Sequence, residues 1–288
     1  LGKESKMSEQ RVRIGFVGFG EVGSLLASVM QQNGADVAAW DLVTDKVKVT
    51  LLPPEELAAR CDWIFSTVTT EAALDVARSF APRLRQGQVY VDFNSTSPAT
   101  KLTIAEVIAT TPAGFAEAVI LGAVGAEGAR ARILTGGPRG RDTAELLCRY
   151  GLNARFFGEQ TGQASRFKML RSVFSKGAEA LLLEMLAAAH RAGFAEELFR
   201  DLSDFMTANP FERVAANWIR THPLACHRRY HELRQVNETL RELGLTPVMS
   251  LATEAFFDRT RVLAADQPPA RDSWQQAVAW LEERLGRT

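Results

Sequence analysis

The feature that most constrains this chain is a run of glycines set between two different periodicities. Val12 to Val17 is short and β-rich, and Gly18-Phe19-Gly20-Glu21-Val22-Gly23 follows at once. Apolar residues then recur at helical spacing (Val22, Leu25, Leu26, Val29) up to a stop at Asn33-Gly34. The order predicts a strand, a tight loop and a helix. The next strand, "DVAAWD", ends on Asp41, about 20 residues further on. A G-x-G-x-x-G pattern is weak by itself. Between a strand and a helix, with an acid in that place, it marks a dinucleotide site. Gly18 permits the turn, Gly20 lets the backbone approach a pyrophosphate, and Gly23 allows close packing of helix on strand. Phe19, Glu21 and Val22 complete the loop, where phosphates meet free N–H groups and the positive end of the helix dipole. Asp41 can accept hydrogen bonds from both ribose hydroxyls and repels a 2′-phosphate, so NAD is expected in preference to NADP. Lys46 and Lys48 follow closely and can offset part of that repulsion. The alternative use of Asp41 is as a solvated carboxylate at a strand end.

The alternation continues. "CDWIFSTV" and "GQVYVDFNS" read as further strands, with a helical stretch from Glu71 to Leu84 between them, which implies a parallel sheet covered on both faces. From Gln163 onward the β-rich runs vanish and the chain reads as helices, for instance Glu196 to Met206, Glu232 to Leu243 and Trp274 to Leu285. The last places Trp274, Val278, Leu281 and Leu285 on one face, expected to be core or dimer contact. The fold class is therefore α/β: a Rossmann-type, doubly wound parallel sheet over residues 7–161, then an all-α domain over 162–288 that begins with a long helix. A chain of 288 residues with 46% hydrophobic composition can fill two such cores.

Composition narrows the partners. Basic and acidic residues balance at 34 each, so no global field favours nucleic acid or an anionic membrane. The apolar run from Leu181 to Ala189 is far short of the ~20 residues a membrane span needs, and Glu184 interrupts it. Three separated cysteines, Cys61, Cys148 and Cys226, fit neither a disulfide framework nor a paired metal site. With "LGKESKMSEQ" lacking the apolar centre of a signal peptide, the expected location is the cytoplasm.

Three motifs in order resemble the β-hydroxyacid dehydrogenase superfamily, which includes 3-hydroxyisobutyrate and 6-phosphogluconate dehydrogenases. "IGFVGFGEVGSLLA" is similar to its cofactor motif, "VDFNSTSPAT" to its D-x-S-T-x-x-P segment, and "GQASRFKMLRS" to its G-x-x-x-x-x-K-x-x-x-N catalytic helix. The resemblance implies that Lys168 is the acid/base, exchanging a proton with the substrate oxygen while hydride moves between the carbinol carbon and the nicotinamide. In the oxidation direction the amine must be neutral, which burial and the nearby Arg166, Arg171 and Lys176 would favour. It places Asn94 and Ser95 near the nicotinamide ribose and the substrate, although a helix cap before Pro98 is an equal use of that segment. Thr67 and Val68 would lie along the cofactor path; Glu71 is read as a favourable charge in a helix first turn.

The chain also departs from the pattern. Ser172 stands where the superfamily has asparagine, four residues from Lys168 on the same helix face, and can donate one hydrogen bond there. Leu121-Gly122-Ala123 replaces the substrate-binding S-G-G, leaving Gly122 to contact substrate through its backbone. These departures resemble a phosphogluconate dehydrogenase-like side branch. "HELRQVNETLRELGLTP" is similar to the K-D-L segment, so His231 and Arg228 are candidate substrate contacts. Of His222, His227 and His231, two are four apart on a helix, but no third ligand stands at convincing spacing and no metal is expected. The implied partners are a small substrate, expected to be a carboxylate, and a second copy of the chain bound through the helical domain. Imine reduction on the same scaffold and a non-catalytic dinucleotide sensor are the competing readings. Retention of Lys168 argues against both.

Overall fold

The structure is a computed structural model that describes residues 11–45, 49–122, 124–264 and 272–286. Lys46, Lys48 and Ala123 therefore lie outside the described residues. Among the described residues eight strands form one sheet: β1 (Arg13–Val17), β2 (Asp36–Trp40), β3 (Thr50–Leu51), β4 (Trp63–Ser66), β5 (Val89–Asp92), β6 (Gly114–Leu121), β7 (Arg132–Gly136) and β8 (Ala154–Gly158). Their order is β3-β2-β1-β4-β5-β6-β7-β8. Helices α1 (Glu21–Gln32), α2 (Pro54–Arg60), α3 (Ala73–Phe80), α4 (Pro98–Ala109), α5 (Val124–Glu127) and α6 (Gly140–Arg149) connect them.

The period of two decides which face each strand residue covers. In β1, β4 and β5, Phe16, Phe65, Val89 and Val91 enter one buried cluster with Leu26 and Met30 of α1. Their neighbours Val17, Ile64 and Tyr90 enter a second cluster with Leu57, Ile104 and Ile108. Both faces are thus covered, as the alternation of strands and helices predicts. Each large apolar side chain so buried contributes about 1.5–3 kcal/mol.

One pairing departs from an all-parallel sheet: β6 and β7 run antiparallel, from Glu117 opposite Gly136 to Leu121 opposite Arg132. A parallel return needs a crossover of a dozen or more residues. Among the described residues, the segment between these strands holds only the one-turn α5 and a 3₁₀ turn over Gly128–Arg130, so the chain doubles back.

The chain divides into two compact units between Val173 and Phe174, inside α7 (Gln163–Ala192). The sequence places a domain boundary earlier, at 161/162. The second unit contains the rest of α7, α8 (Ala195–Ala208), α9 (Phe211–Glu242), α10 (Met249–Leu263) and α11 (Trp274–Leu285). The expected helix from Glu232 is the last part of α9, which runs through Pro223 without ending. The bounds of α11 match the sequence, but its buried residues are Ala277 and Trp280, while Trp274 and Val278 of the expected stripe are exposed. All three cysteines are free, and burial pushes the Cys61 thiol up to about 12. Among the described residues no helix is long and apolar enough to cross a membrane.

Candidate functional site

The glycine loop is built as its spacing requires. Gly18 has φ +88°, and a Cβ there would lie 2.7 Å from the Thr67 carbonyl oxygen and 2.8 Å from Val68 Cγ1. A Cβ on Gly23 would collide with the Gly18 carbonyl oxygen, which itself accepts a 2.6 Å hydrogen bond from Thr67 Oγ1. Gly20 differs: a Cβ there would meet nothing within 4 Å. Thr67 and Val68, which follow β4, therefore close one side of the loop and leave the space over Gly20 open. Gly20 is also the N-cap of α1 and supplies no side-chain cap, so the first N–H groups of that helix are left for an anion. Glu21 is exposed and Val22 half-buried at the start of α1, and Phe19 is buried.

Asp41 lies beside this loop. Its carboxylate accepts the main-chain N–H of Phe19 and, at 2.8 Å, that of Val43.

The turn after β5 carries the second motif. Ser97 accepts the Thr100 N–H at 3.2 Å and Pro98 follows at N1, so Ser97 caps α4. Capping therefore does not use Asn94 or Ser95. Asn94 is buried, its side-chain amine donating to Ser66 Oγ at 3.0 Å and to the Asp92 carboxylate, while its Oδ1 has no partner among the described residues. Thr96 Oγ1 is likewise buried and unpartnered. Beneath the turn, Lys101 and Asp92 form an ion pair at 2.8 Å, both side chains fully buried, and the Lys101 ammonium also donates to the Asp92 carbonyl at 2.8 Å. The Nζ–Oδ2 contact lacks the direction of a hydrogen bond, so it acts as charge pairing and the carbonyl takes the directed donor.

Lys168 reaches this turn from α7. Its Nζ lies 2.6 Å from Ser95 Oγ, joining motifs 73 residues apart in the chain. The start of α7 is fixed by Glu117 of β6. This wholly buried carboxylate accepts the N–H groups of Gly162 (2.7 Å), Ala164 (3.1 Å) and Ser165 (3.3 Å) and the Ser165 hydroxyl (2.7 Å). A carboxylate at a helix N-terminus satisfies orphan donors and complements the dipole. Gly136 opposite it leaves room, since a Cβ there would lie 2.8 Å from Glu117 Oε1.

The Ser172 hydroxyl, half-buried on α7, donates to the Lys168 carbonyl at 2.9 Å, one turn back. Gly122 is exposed at φ +112°, and the Glu127 carboxylate fills the place a Cβ would take. Glu71 lies in the exposed turn before α3, not in its first turn.

Arg228 and His231 belong to the second unit. Arg228 pairs with Glu232 on an exposed face of α9, a pairing worth roughly 0.3–0.5 kcal/mol. His231 packs edge-on against His227 (ring centroids 5.0 Å) and Tyr230 (5.2 Å). His222 is turned elsewhere, 2.8 Å from Thr260 Oγ1 and against Phe257, and burial, with Arg229 adding to it, holds its pKa below the usual histidine value. Glu117, Lys101 and Thr96 escaped the sequence reading. A lone carboxylate in the apolar run "GFAEAVIL" is the signal that could have found Glu117, because buried charges need partners.

The open space over Gly20, the uncapped α1 and the unpartnered oxygens of Asn94 and Thr96 together fit a dinucleotide. Comparison with known proteins agrees. Residues 13–146 match the NAD binding domain of 6-phosphogluconate dehydrogenase, and residues 189–260 match a domain of unknown function. A conserved protein of unknown function, whose structure reveals similarity with 3-hydroxyacid dehydrogenases, is 34% identical; the match covers 90% of this chain and 100% of that one, with a TM-score of 0.59. Glyoxylate/succinic semialdehyde reductase 2 of Arabidopsis thaliana is 30% identical over 191 residues, 60% of this chain and 53% of that protein, so the chain spans about half of that relative. A reductive aminase from Aspergillus terreus, solved with NADPH and ethyl levulinate, shares the fold at a TM-score of 0.77 and 15% identity over 95% of this chain and 99% of its own. On these grounds the chain belongs to the β-hydroxyacid dehydrogenase superfamily of NAD(P)-dependent oxidoreductases.

Proposed function

We propose that the protein transfers a hydride between NAD and the carbinol or carbonyl carbon of a small β-hydroxyacid or related alcohol, with Lys168 as general acid/base. The observation that carries this reading is the 2.6 Å contact between Lys168 Nζ and Ser95 Oγ at the turn after β5. Open α/β sheets bind ligands at the carboxyl ends of their strands, where this turn lies. When bound, a nicotinamide dinucleotide supplies the hydride acceptor or donor. Lys168 accepts the hydroxyl proton in oxidation and returns it in reduction, and Ser95 orients its amine. Gly18, Gly20 and Gly23 with the start of α1 hold the pyrophosphate, and Asp41, fixed by the Phe19 and Val43 N–H groups, faces the ribose and disfavours a 2′-phosphate. Arg228, His231 and Gly122 remain proposed substrate contacts.

The competing imine reduction has the fold of the Aspergillus reductive aminase in its favour, and Lys168 against it. A panel of hydroxyacids, aldehydes and imines, followed by nicotinamide absorbance, separates the readings. Turnover of hydroxyacids or their carbonyl partners supports the proposal, turnover of imines alone transfers it to the alternative, and NADH binding with no turnover on any of them supports a sensor. Asp41→Asn should reduce the preference for NAD over NADP by about tenfold, roughly one charged hydrogen bond. An unchanged preference would show that Asp41 does not read the ribose.

A further inference from the structure

The buried Lys101–Asp92 pair lies under the turn that holds Asn94 and Ser95, and nothing in the proposed reaction uses it. A buried ion pair is seldom retained for stability, since apolar side chains of similar volume often do as well or better. Its position here suggests another purpose. Asp92 Oδ1 accepts the main-chain N–H of Asn94 at 3.1 Å and also its side-chain amine. Ser66 Oγ, 3.0 Å from the same amide group, can donate or accept and so suits either orientation of that amide. A carboxylate paired with a lysine only accepts, so it suits one orientation: amine toward Asp92, carbonyl away.

We infer that Lys101 and Asp92 are positioning residues that fix the polarity of the turn after β5, so that Asn94 presents an acceptor to the nicotinamide riboside half of the cofactor. Asn94 Oδ1 is the buried oxygen left unpartnered, and leaving such a group unpaired costs about 1–3 kcal/mol. The group that satisfies it must be a donor, either a ribose hydroxyl or a carboxamide N–H. A substrate carboxylate has no donor to offer and is excluded from this position. The inference rests on the dinucleotide reading of the site, and it deepens that reading by dividing it: the glycine loop and Asp41 hold the adenosine side, and the Asn94 turn reads the distal side.

Binding of NADH, ADP-ribose and ADP tests this without a substrate. Asn94→Ser keeps a hydroxyl donor for Asp92 but removes the carbonyl. Lys101→Met/Asp92→Asn removes both charges together, avoiding an unpaired buried ion, and releases the amide to turn over. Both variants should bind NADH about tenfold more weakly, the effect of one hydrogen bond, while binding ADP as the wild type does. A matching loss for ADP-ribose identifies the ribose hydroxyl as the donor, and a loss confined to NADH identifies the carboxamide. Unchanged NADH affinity in Asn94→Ser overturns the inference, as does an equal loss for all three ligands, which is the mark of a general structural defect. Wild-type protein that binds none of the three contradicts the dinucleotide reading itself, so the two failures are distinguishable.

Discussion

The two units of the chain bury their apolar residues very differently. Among the described residues, all three buried apolar clusters lie in the first unit, from Ile14 to Ala164, and draw on both faces of the sheet. In the second unit α8 has no buried residue, and Leu183 (64% exposed), Phe199 (53%), Trp218 (52%) and Val248 (64%) stand open. Single exposed leucines are ordinary, but so many large apolar side chains on a few helices are characteristic of a surface that meets another. A sheet with helices on both faces completes its own core. Long helices with apolar residues around much of their circumference need a second surface, and a second copy of the chain is the partner proposed for them.

Substitutions can break or sharpen that contrast. The largest effect is expected of Leu183→Glu. If a second copy covers α7, the buried charge should cost about 3 kcal/mol or more and halve the mass measured by light scattering, whereas on a free surface it would change stability by within roughly 0.5 kcal/mol. A wild-type protein of single-chain mass would remove the partner from the explanation. Next, Glu117→Ala in the first unit strips four hydrogen bonds from the start of α7 and should cost about 2–3 kcal/mol in denaturant unfolding. A loss under about 0.5 kcal/mol would mean that Glu117 does not anchor the helix.

The second unit repeats the device in a more exposed place. Glu184 accepts the N–H groups of Val248 (2.6 Å), Met249 (2.9 Å) and Ser250 (2.9 Å) at the start of α10. Burial, the largest single influence, pushes its pKa up, but the hydrogen bonds from these N–H groups and the Ser250 hydroxyl together outweigh it and hold the pKa below the ordinary glutamate value. Because the folded pKa is the lower one, the associated stability is present above the unfolded value and is lost as pH falls through the folded one. Comparing unfolding of wild type and Glu184→Gln, the difference should be about 1 kcal/mol at neutral pH and shrink in acid. A difference that persists unchanged below the carboxylate range would rule out ionisation of Glu184 as its source.

What could be read before folding follows the same division. The glycine loop, Asp41 and the strands beside them depend on local spacing, and their neighbours in space are set by a regular sheet. The meeting of Lys168 with Ser95 was legible as two motifs, though not as a contact. Glu117 could be marked as a lone carboxylate in an apolar run, but its partners were not legible, because a strand carboxylate finds them only when the start of α7 arrives beside it. The Lys101–Asp92 pair was hidden for a related reason: on helix spacing alone, Lys101 reads as an ordinary exposed lysine. Ser172 was legible as a motif position by count, but its hydrogen bond to the carbonyl four residues back was not. On α11, which packs against α9, Ala277 and Trp280 are buried, while Trp274 and Val278 of the expected stripe are exposed and Leu281 and Leu285 half-buried.

The proposed chemistry depends on Lys168 exchanging a proton without being needed to hold the cofactor. Measured on Lys168→Ala with a substrate from the panel, turnover should fall by roughly two orders of magnitude or more while NADH binds with nearly unchanged affinity. Turnover retained within a few-fold of wild type would contradict the assignment of Lys168.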